Sequence, residues 1–270
     1  MTDHVTSVRP TVTPLGGAMG AIVHGLAVDD IDDAGRATLR QAWIDHHVLF
    51  FPGLHLAPAQ QVRLAGVFGP RLAATTEVGG DYRGVPTLAA EGFPEVLVLD
   101  TPAGHRPGSL VTNAWHTDVT FTASPPIGSL FAMERPAADG GDTMWSNQHL
   151  AYEGLSTPVR ALIADLHAVH GRPPLTGTTT HPMVKLHPDT GRPFLFVNRG
   201  WTHKIVGVSA TESKHLLEML FERAERPEYQ IRWRWSAGDA VLWDNRCTMH
   251  YAVDDYQDHR RARRVTVYAD

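Results

Sequence analysis

Apolar and polar positions along this chain rarely hold one period for long. Short apolar runs closed by Gly and Pro alternate with a few helical stretches. The sharpest pattern is Tyr229–Trp235, where Tyr229, Ile231, Trp233 and Trp235 alternate with Gln230, Arg232 and Arg234. A period of two predicts a strand with aromatics on one face and polar groups on the other. Val48-Leu49-Phe50-Phe51, stopped by Pro52-Gly53, reads as a strand buried on both sides. Glu95–Asp100, Ile127–Met133, Asp142–Ser146, Arg192–Asn198, Asp239–Asp244 and Arg263–Ala269 are further predicted strands.

Helices are predicted at 31–47, capped by Asp32 or Asp33, at 58–68 with Pro58 in the first turn, and at 158–166. Ser209-Ala210-Thr211-Glu212 has capping-box spacing and opens a fourth, with Leu216, Leu217 and Leu220 on its buried side. Segments 71–94, 101–115 and 171–185 lack a period and are predicted as lid loops. Long loops in compact domains are usually functional. The expected fold is mainly β with flanking helices, a sandwich or jelly roll and not a parallel α/β sheet.

Composition narrows the picture. A chain of 270 residues with dispersed Pro (19) and Gly (24) fits one loop-rich domain over 1–270. Its net charge of −5 argues against a general nucleic-acid surface. One cysteine, Cys247, suits a reducing cytoplasm. The opening MTDHVTSVRP has no apolar core of a signal peptide, and no run approaches the ~20 apolar residues of a membrane helix. The reading is a cytoplasmic protein without nucleic-acid or membrane partners.

The candidate chemistry centres on Trp115-His116-Thr117-Asp118 and the distant His250. Residues two apart on an extended segment point the same way, so His116 and Asp118 can converge. Two imidazoles and one carboxylate on one face of an ion are the donor set of non-haem Fe(II) oxygenases. Alone, His-x-Asp is a weak signal, compatible with a surface pair in which Asp118 merely orients His116. Asp142-Thr143 follows a Gly140-Gly141 turn, and an arginine cluster occupies 260–264. An oxoacid bound at a metal needs such an arginine, whose fork grips a carboxylate. The remaining histidines, His46, His47, His167, His170, His181, His187, His203 and His215 among them, have no partner at ligand spacing and read as structural or exposed. Cys247 reads as a small buried residue. Hydrolase-elbow, Walker and dinucleotide motifs are missing from the sequence.

With these pieces in order, the chain resembles the TauD/TfdA family of Fe(II)- and 2-oxoglutarate-dependent dioxygenases. The likeness rests on Trp115–Asp118, Gly140–Trp145, Asn198–Thr202, Trp243–Arg246, His250–Val253 with Asp255-Tyr256, and Arg260–Thr266. It implies a double-stranded β-helix (jelly roll) core. It also implies Fe2+ held by the catalytic ligands His116, Asp118 and His250, with 2-oxoglutarate and O2 as co-substrates. Thr143 and one arginine would hold the far carboxylate of 2-oxoglutarate. Spacing and strand parity back from Arg264-Val265-Thr266 select Arg260, whereas counting forward from His250 selects Arg261. Arg263 then reads as solvent-facing.

By the same resemblance Arg264 would take an anionic substrate head group, with Trp201, Val119 and Asn113 lining the pocket. Relatives form dimers or tetramers, so a homo-oligomer is expected. One departure concerns the His and Tyr that grip the sulfonate in the taurine-type branch: residues 70–86 carry Tyr82 but no His. The expected activity is oxidation of a C–H bond in a small anionic molecule (sulfonate, sulfate ester or carboxylate), releasing succinate and CO2. The alternatives are a zinc-dependent hydrolase and a non-catalytic jelly-roll binding protein on the same scaffold.

Overall fold

The structure, a computed structural model, describes residues 10–70, 85–108 and 113–269. The expected lids at 71–94 and 101–115 lie partly outside these residues. An eight-stranded sheet forms one wall. Its strands run in the order Thr11–Pro14, Ala21–His24, Val48–Phe51, Ala240–Asp244, Gly128–Arg135, Arg260–Val267, Phe93–Thr101 and Thr87–Leu88. The facing wall has three strands, with Thr143–Asn147 between Gln230–Trp233 and Thr248–Ala252. The two walls make the jelly roll that the sequence predicts.

Aromatic residues fill the space between the walls. Trp145, Phe50, Met133, Trp235 and Trp243 form one buried cluster. Phe50 meets Trp145 edge-on at 5.6 Å and stacks on Trp233 at 4.5 Å. Strand Val48–Phe51 explains its unbroken apolar run, because Val48 and Phe50 face this cluster while Leu49 and Phe51 face the outer one. That outer cluster packs the large sheet against helices Asp33–His46 and Pro58–Ala65 through Leu39, Trp43 and Leu64. The first of these helices is capped by Asp32, whose side chain accepts from the Gly35 N–H at 2.7 Å.

The alternating segment is shorter than predicted. Its strand is Gln230–Trp233, since Tyr229 closes a 3-10 turn and Trp235 lies beyond the last ladder pair. Likewise only Pro193–Leu195 of the 192–198 run is strand. The expected lid at 171–185 needs correction. Thr178–Pro182 pairs along its length with His167–Gly171, and Val184–Leu186 pairs with Pro193–Leu195. Only 172–177 is left as a loop there. Thr-rich sequence hid a strand, because Thr is as compatible with a β ladder as with a turn. Helix Ala210–Ala224 carries the expected capping box and packs Leu217, Leu220 and Phe221 inward. No helix among the described residues is long and apolar enough to cross a membrane.

A buried polar network props the turn after Asp118. His170 Nδ1 meets Thr120 Oγ1 at 2.9 Å, and His181 Nε2–H donates to the carbonyls of Thr120 and Thr122 at 2.8 and 3.0 Å. Lys185 Nζ donates to the other ring nitrogen of His181 at 3.3 Å. Burial, then the neighbouring His181 and Lys185, push His170 down to about 3. Between that value and the ordinary 6.5, only the unfolded chain takes up a proton there, so stability falls as pH drops through this window. Each such histidine removes roughly 1.4 kcal/mol per pH unit. Urea titrations at pH 7 and pH 5 should therefore show a clear loss of stability in acid, and His170→Phe should flatten the dependence. A curve unchanged between the two pH values would contradict the buried neutral state.

Candidate active site

His116 and His250 face each other in an isolated antiparallel bridge. The His116 N–H donates to the His250 carbonyl at 2.9 Å, and the His250 N–H donates back at 2.7 Å. This pairing sets two imidazoles side by side, with ring centroids 4.1 Å apart. Asp118 follows two residues after His116, and Asn245 clamps its backbone. Asn245 Oδ1 accepts from the Asp118 N–H at 2.9 Å while Asn245 Nδ2 donates to the Asp118 carbonyl at 3.1 Å. Val119 next takes φ 58°. A β-branched residue is a true outlier there, and such strain tends to persist at functional sites. Gly200 packs on His116 so closely that a Cβ would lie 2.6 Å from the His116 Cβ.

The side chains converge. Nε2 of His116 and Nε2 of His250 lie 3.8 and 3.7 Å from Asp118 Oδ1. Donor atoms of the three fall within 4.8 Å of one another, and all three residues are buried. His116 Nδ1–H donates to the Ala114 carbonyl at 2.7 Å, which leaves the Nε2 lone pair for a ligand. Asp118 divides its oxygens. Oδ1 faces the two imidazoles, and Oδ2 accepts from Arg264 Nη2 at 2.5 Å.

Burial alone would raise the Asp118 carboxyl, but Arg264 and the two histidines hold it at about 2. Burial and then His116 push His250 down to about 3. Burial likewise lowers His116, against the pull of Asp118. The three groups therefore sit at neutral pH as one carboxylate and two neutral imidazoles, the protonation state that binds a metal.

A cavity of about 410 Å³ opens beside them. Phe131, Trp145, Trp235 and Trp243 wall it, and His116, His250, Thr143, Arg260 and Arg264 supply its polar groups. The Gly140-Gly141 turn, with φ 76° and 69°, runs close to Arg260, where a Cβ on Gly141 would lie 3.4 Å from its side chain, and Thr143 after it lines the same cavity. Thr143 Oγ1 accepts from Trp235 Nε1–H at 3.0 Å, so its own hydroxyl hydrogen stays available for donation. Arg260 is half-buried over Phe131 and Tyr256, its guanidinium carbon 5.5 and 5.8 Å from the ring centres. It has no carboxylate partner among the described residues, and its buried Nε has no hydrogen-bond acceptor. Burial lowers its pKa, partly offset by Tyr256. A partly desolvated guanidinium with an unpartnered buried Nε is costly, and an incoming carboxylate would compensate it.

Strand parity sorts the other arginines. Arg261 points away from the cavity, and its Nε and Nη1 bond Glu134 and Asp100 at 2.8 Å each. As a 2-oxoglutarate ligand Arg261 is thus excluded by direction: the forward count missed which face of Arg260–Val267 it occupies. Arg263 is not solvent-facing either, because it is buried with Nη2 donating to the Leu56 carbonyl and Nε 2.9 Å from Glu134. Arg264 lies on the cavity side but engages Asp118, and Nη2 also donates to Ser129 Oγ at 2.9 Å.

The remaining expected pocket residues surround the centre without all reaching the cavity. Trp201, Val119 and Phe121 form a separate buried cluster, with the Trp201 ring edge-on to His116 at 6.5 Å. Asn113 Oδ1 accepts from the Tyr251 hydroxyl. Sequence reasoning gave no role to Asn245, Trp235 or Ser129. Asn245 stood inside a quoted motif, whereas nothing in the local sequence marks Trp235 as the partner of Thr143.

Comparison with known proteins agrees with this geometry. Residues 11–266 match the model of the taurine catabolism dioxygenase TauD, TfdA family. An alpha-ketoglutarate-dependent sulfate ester dioxygenase of Pseudomonas putida is 36% identical over 95% of this chain and 88% of its own length. The (S)-phenoxypropionate/alpha-ketoglutarate-dioxygenase of Delftia acidovorans is 34% identical over 89% and 88%. The crystal structure of a taurine dioxygenase from Burkholderia xenovorans superposes with a TM-score of 0.83 at 35% identity, covering 97% of this chain and 91% of that one. With a shared fold, matched length and a convergent His-Asp-His donor set, the chain belongs to the taurine catabolism dioxygenase TauD, TfdA family.

Proposed function

We propose that this protein is an Fe(II)- and 2-oxoglutarate-dependent dioxygenase that oxidises a C–H bond of a small anionic molecule. The observation that carries the reading is the half-buried Arg260, without a carboxylate partner among the described residues, in one cavity with Thr143, His116 and His250, the two histidines that converge on Asp118. His116, Asp118 and His250 would hold the ion through two nitrogens and one carboxylate oxygen, a donor set suited to ferrous iron. The bound group supplies reductive activation of O2 at the expense of 2-oxoglutarate, giving succinate, CO2 and an oxidised substrate.

The chain's own residues do the positioning. Arg260 would bind the far carboxylate of 2-oxoglutarate through two N–H bonds, and the Thr143 hydroxyl would donate a third. The tryptophan walls keep water out, which strengthens each of these bonds. Arg264 keeps Asp118 ionised and directs Oδ1 at the ion. Its position on the cavity side also supports a role toward an anionic head group. The sulfate ester and phenoxypropionate relatives act on molecules of that charge class, which supports a sulfonate, sulfate ester or carboxylate substrate. Trp201, Val119 and Asn113 would shape the side of the centre where that molecule lies. A zinc hydrolase or a mute binding protein would leave Arg260 and Thr143 without a task.

With Fe2+ and 2-oxoglutarate, a panel of alkyl sulfates, sulfonates and aryloxy acids should yield a substrate whose presence stimulates succinate release. Turnover by zinc-loaded protein lacking 2-oxoglutarate would instead indicate hydrolysis. Among single variants, Arg260→Ala should weaken 2-oxoglutarate binding roughly 30-fold or more, as expected for a lost buried ionic hydrogen bond. Arg261→Ala should stay within about twofold, because its partners are surface carboxylates. Calorimetry giving the reverse order would overturn the assignment. Trp235→Phe removes the donor that orients Thr143 and should raise KM for 2-oxoglutarate roughly fivefold, about one hydrogen bond's worth. An unchanged KM would leave Thr143 outside the site.

A further inference from the structure

His47, His149 and Cys247 gather in the interior outside the site described above, and nothing in the proposed chemistry uses them. They are 5%, 1% and 0% exposed, and their candidate donor atoms lie within 4.8 Å of one another. Sequence spacing hides the group, because each member comes from a different segment. His47 follows helix Asp33–His46 with φ 63°, His149 lies in helix Gln148–Glu153, and Cys247 sits in the turn before strand Thr248–Ala252. Backbone hydrogen bonds tie the pieces together. The Gln148 N–H donates to the Cys247 carbonyl at 3.0 Å, and the Asp244 N–H donates to the His47 carbonyl at 2.8 Å.

The donors are arranged as ligands. His149 Nδ1–H donates to the Pro193 carbonyl at 2.8 Å, the device that orients His116 on Ala114. Its Nε2 is then the lone-pair nitrogen. Cys247 Sγ lies 3.6 Å from His47 Nδ1. A sulfur and a nitrogen bound to one tetrahedral zinc, at about 2.3 and about 2.0–2.1 Å, stand about 3.6 Å apart. Burial pushes His47 down to about 4 and lowers His149 as well, so both rings are neutral at pH 7. A negative charge is at hand too. Asp244, with His187, falls within the same 4.8 Å of Cys247, while Arg246 and His187 hold its carboxylate in place.

We propose that His47, His149 and Cys247 form a second, structural metal centre for a thiophilic divalent cation, with Zn2+ as the fitting occupant. Binding replaces the thiol S–H bond with a sulfur–metal bond and releases one proton to solvent, with no change of oxidation state. The thiolate offsets one of the ion's two charges, while Asp244, already paired with Arg246, lies beside it. Two sites in one chain then select metals by donor softness: thiolate with imidazole for zinc, carboxylate with imidazole for ferrous iron. The centre would pin both helices to the turn at 244–247, directly before the strand that carries His250.

Cys247 is the chain's one cysteine, so a thiolate-to-metal absorption band reports this centre alone. Metal-free protein titrated anaerobically with Co2+ should bind two equivalents and develop an intense near-ultraviolet sulfur-to-cobalt band. Asp118→Ala should bind one equivalent and keep the band, whereas Cys247→Ser should bind one and lose it. Zinc should displace that cobalt, with its stoichiometry read by elemental analysis. His149→Ala, as a second variant, should weaken the band-forming event at least tenfold. Wild-type protein saturated with cobalt but showing no sulfur band overturns the proposal, and that outcome needs no variant to fold. A band of unchanged affinity in His149→Ala overturns it equally.

Discussion

Two backbone hydrogen bonds between His116 and His250 are the constraint on which the centre depends. They are an isolated bridge outside the regular ladders, and they fix two imidazoles next to each other. Asp118 reaches the same point because an extended segment repeats its direction every second residue, and Asn245 keeps that segment from turning early. The strained turn at Val119 then carries the chain away, supported from beneath by His170, His181 and Lys185. Preorganisation of this kind means that ligand binding need not also order the side chains.

A single strand divides the electrostatic labour. Arg260 and Arg264 sit four residues apart on the cavity side of Arg260–Val267, while Arg261 and Arg263 turn outward to Asp100 and Glu134. The inward pair is unequal. Arg264 is engaged with the Asp118 carboxylate, whereas Arg260 is half-buried over two aromatic rings. The same chemical group thus keeps the Asp118 carboxylate ionised at one position and, in the proposed function, would offer a counter-charge at the other. Aromatic walls amplify both effects by lowering the local dielectric.

Much of this was legible before any coordinates. Period-two alternation and two-sided apolar runs located most strands of the two walls, and the capping box at Ser209 placed the start of its helix. His116 and Asp118 were readable as a pair because residues two apart on an extended segment share a direction, but that spacing alone is a weak signal, and His250 joined them only through the family resemblance. The small sheet built on Thr178–Pro182 was not readable, since threonines without apolar partners give no periodic signal. Arginine direction was ambiguous in the sequence because two counting origins disagreed by one residue, and one residue on a strand reverses the face. The His47–His149–Cys247 cluster was out of reach altogether. Its members share no spacing, and only the packing of two helices on one turn unites them.

The central claim is that metal and keto-diacid share one preorganised site. Anaerobic calorimetric titration of 2-oxoglutarate into Fe2+-loaded protein, metal-free protein and Asp118→Ala tests it most directly. One tight equivalent in the loaded protein, with far weaker binding in the other two, is the result this geometry requires. Equal affinity in all three would place the keto-diacid elsewhere and contradict the account.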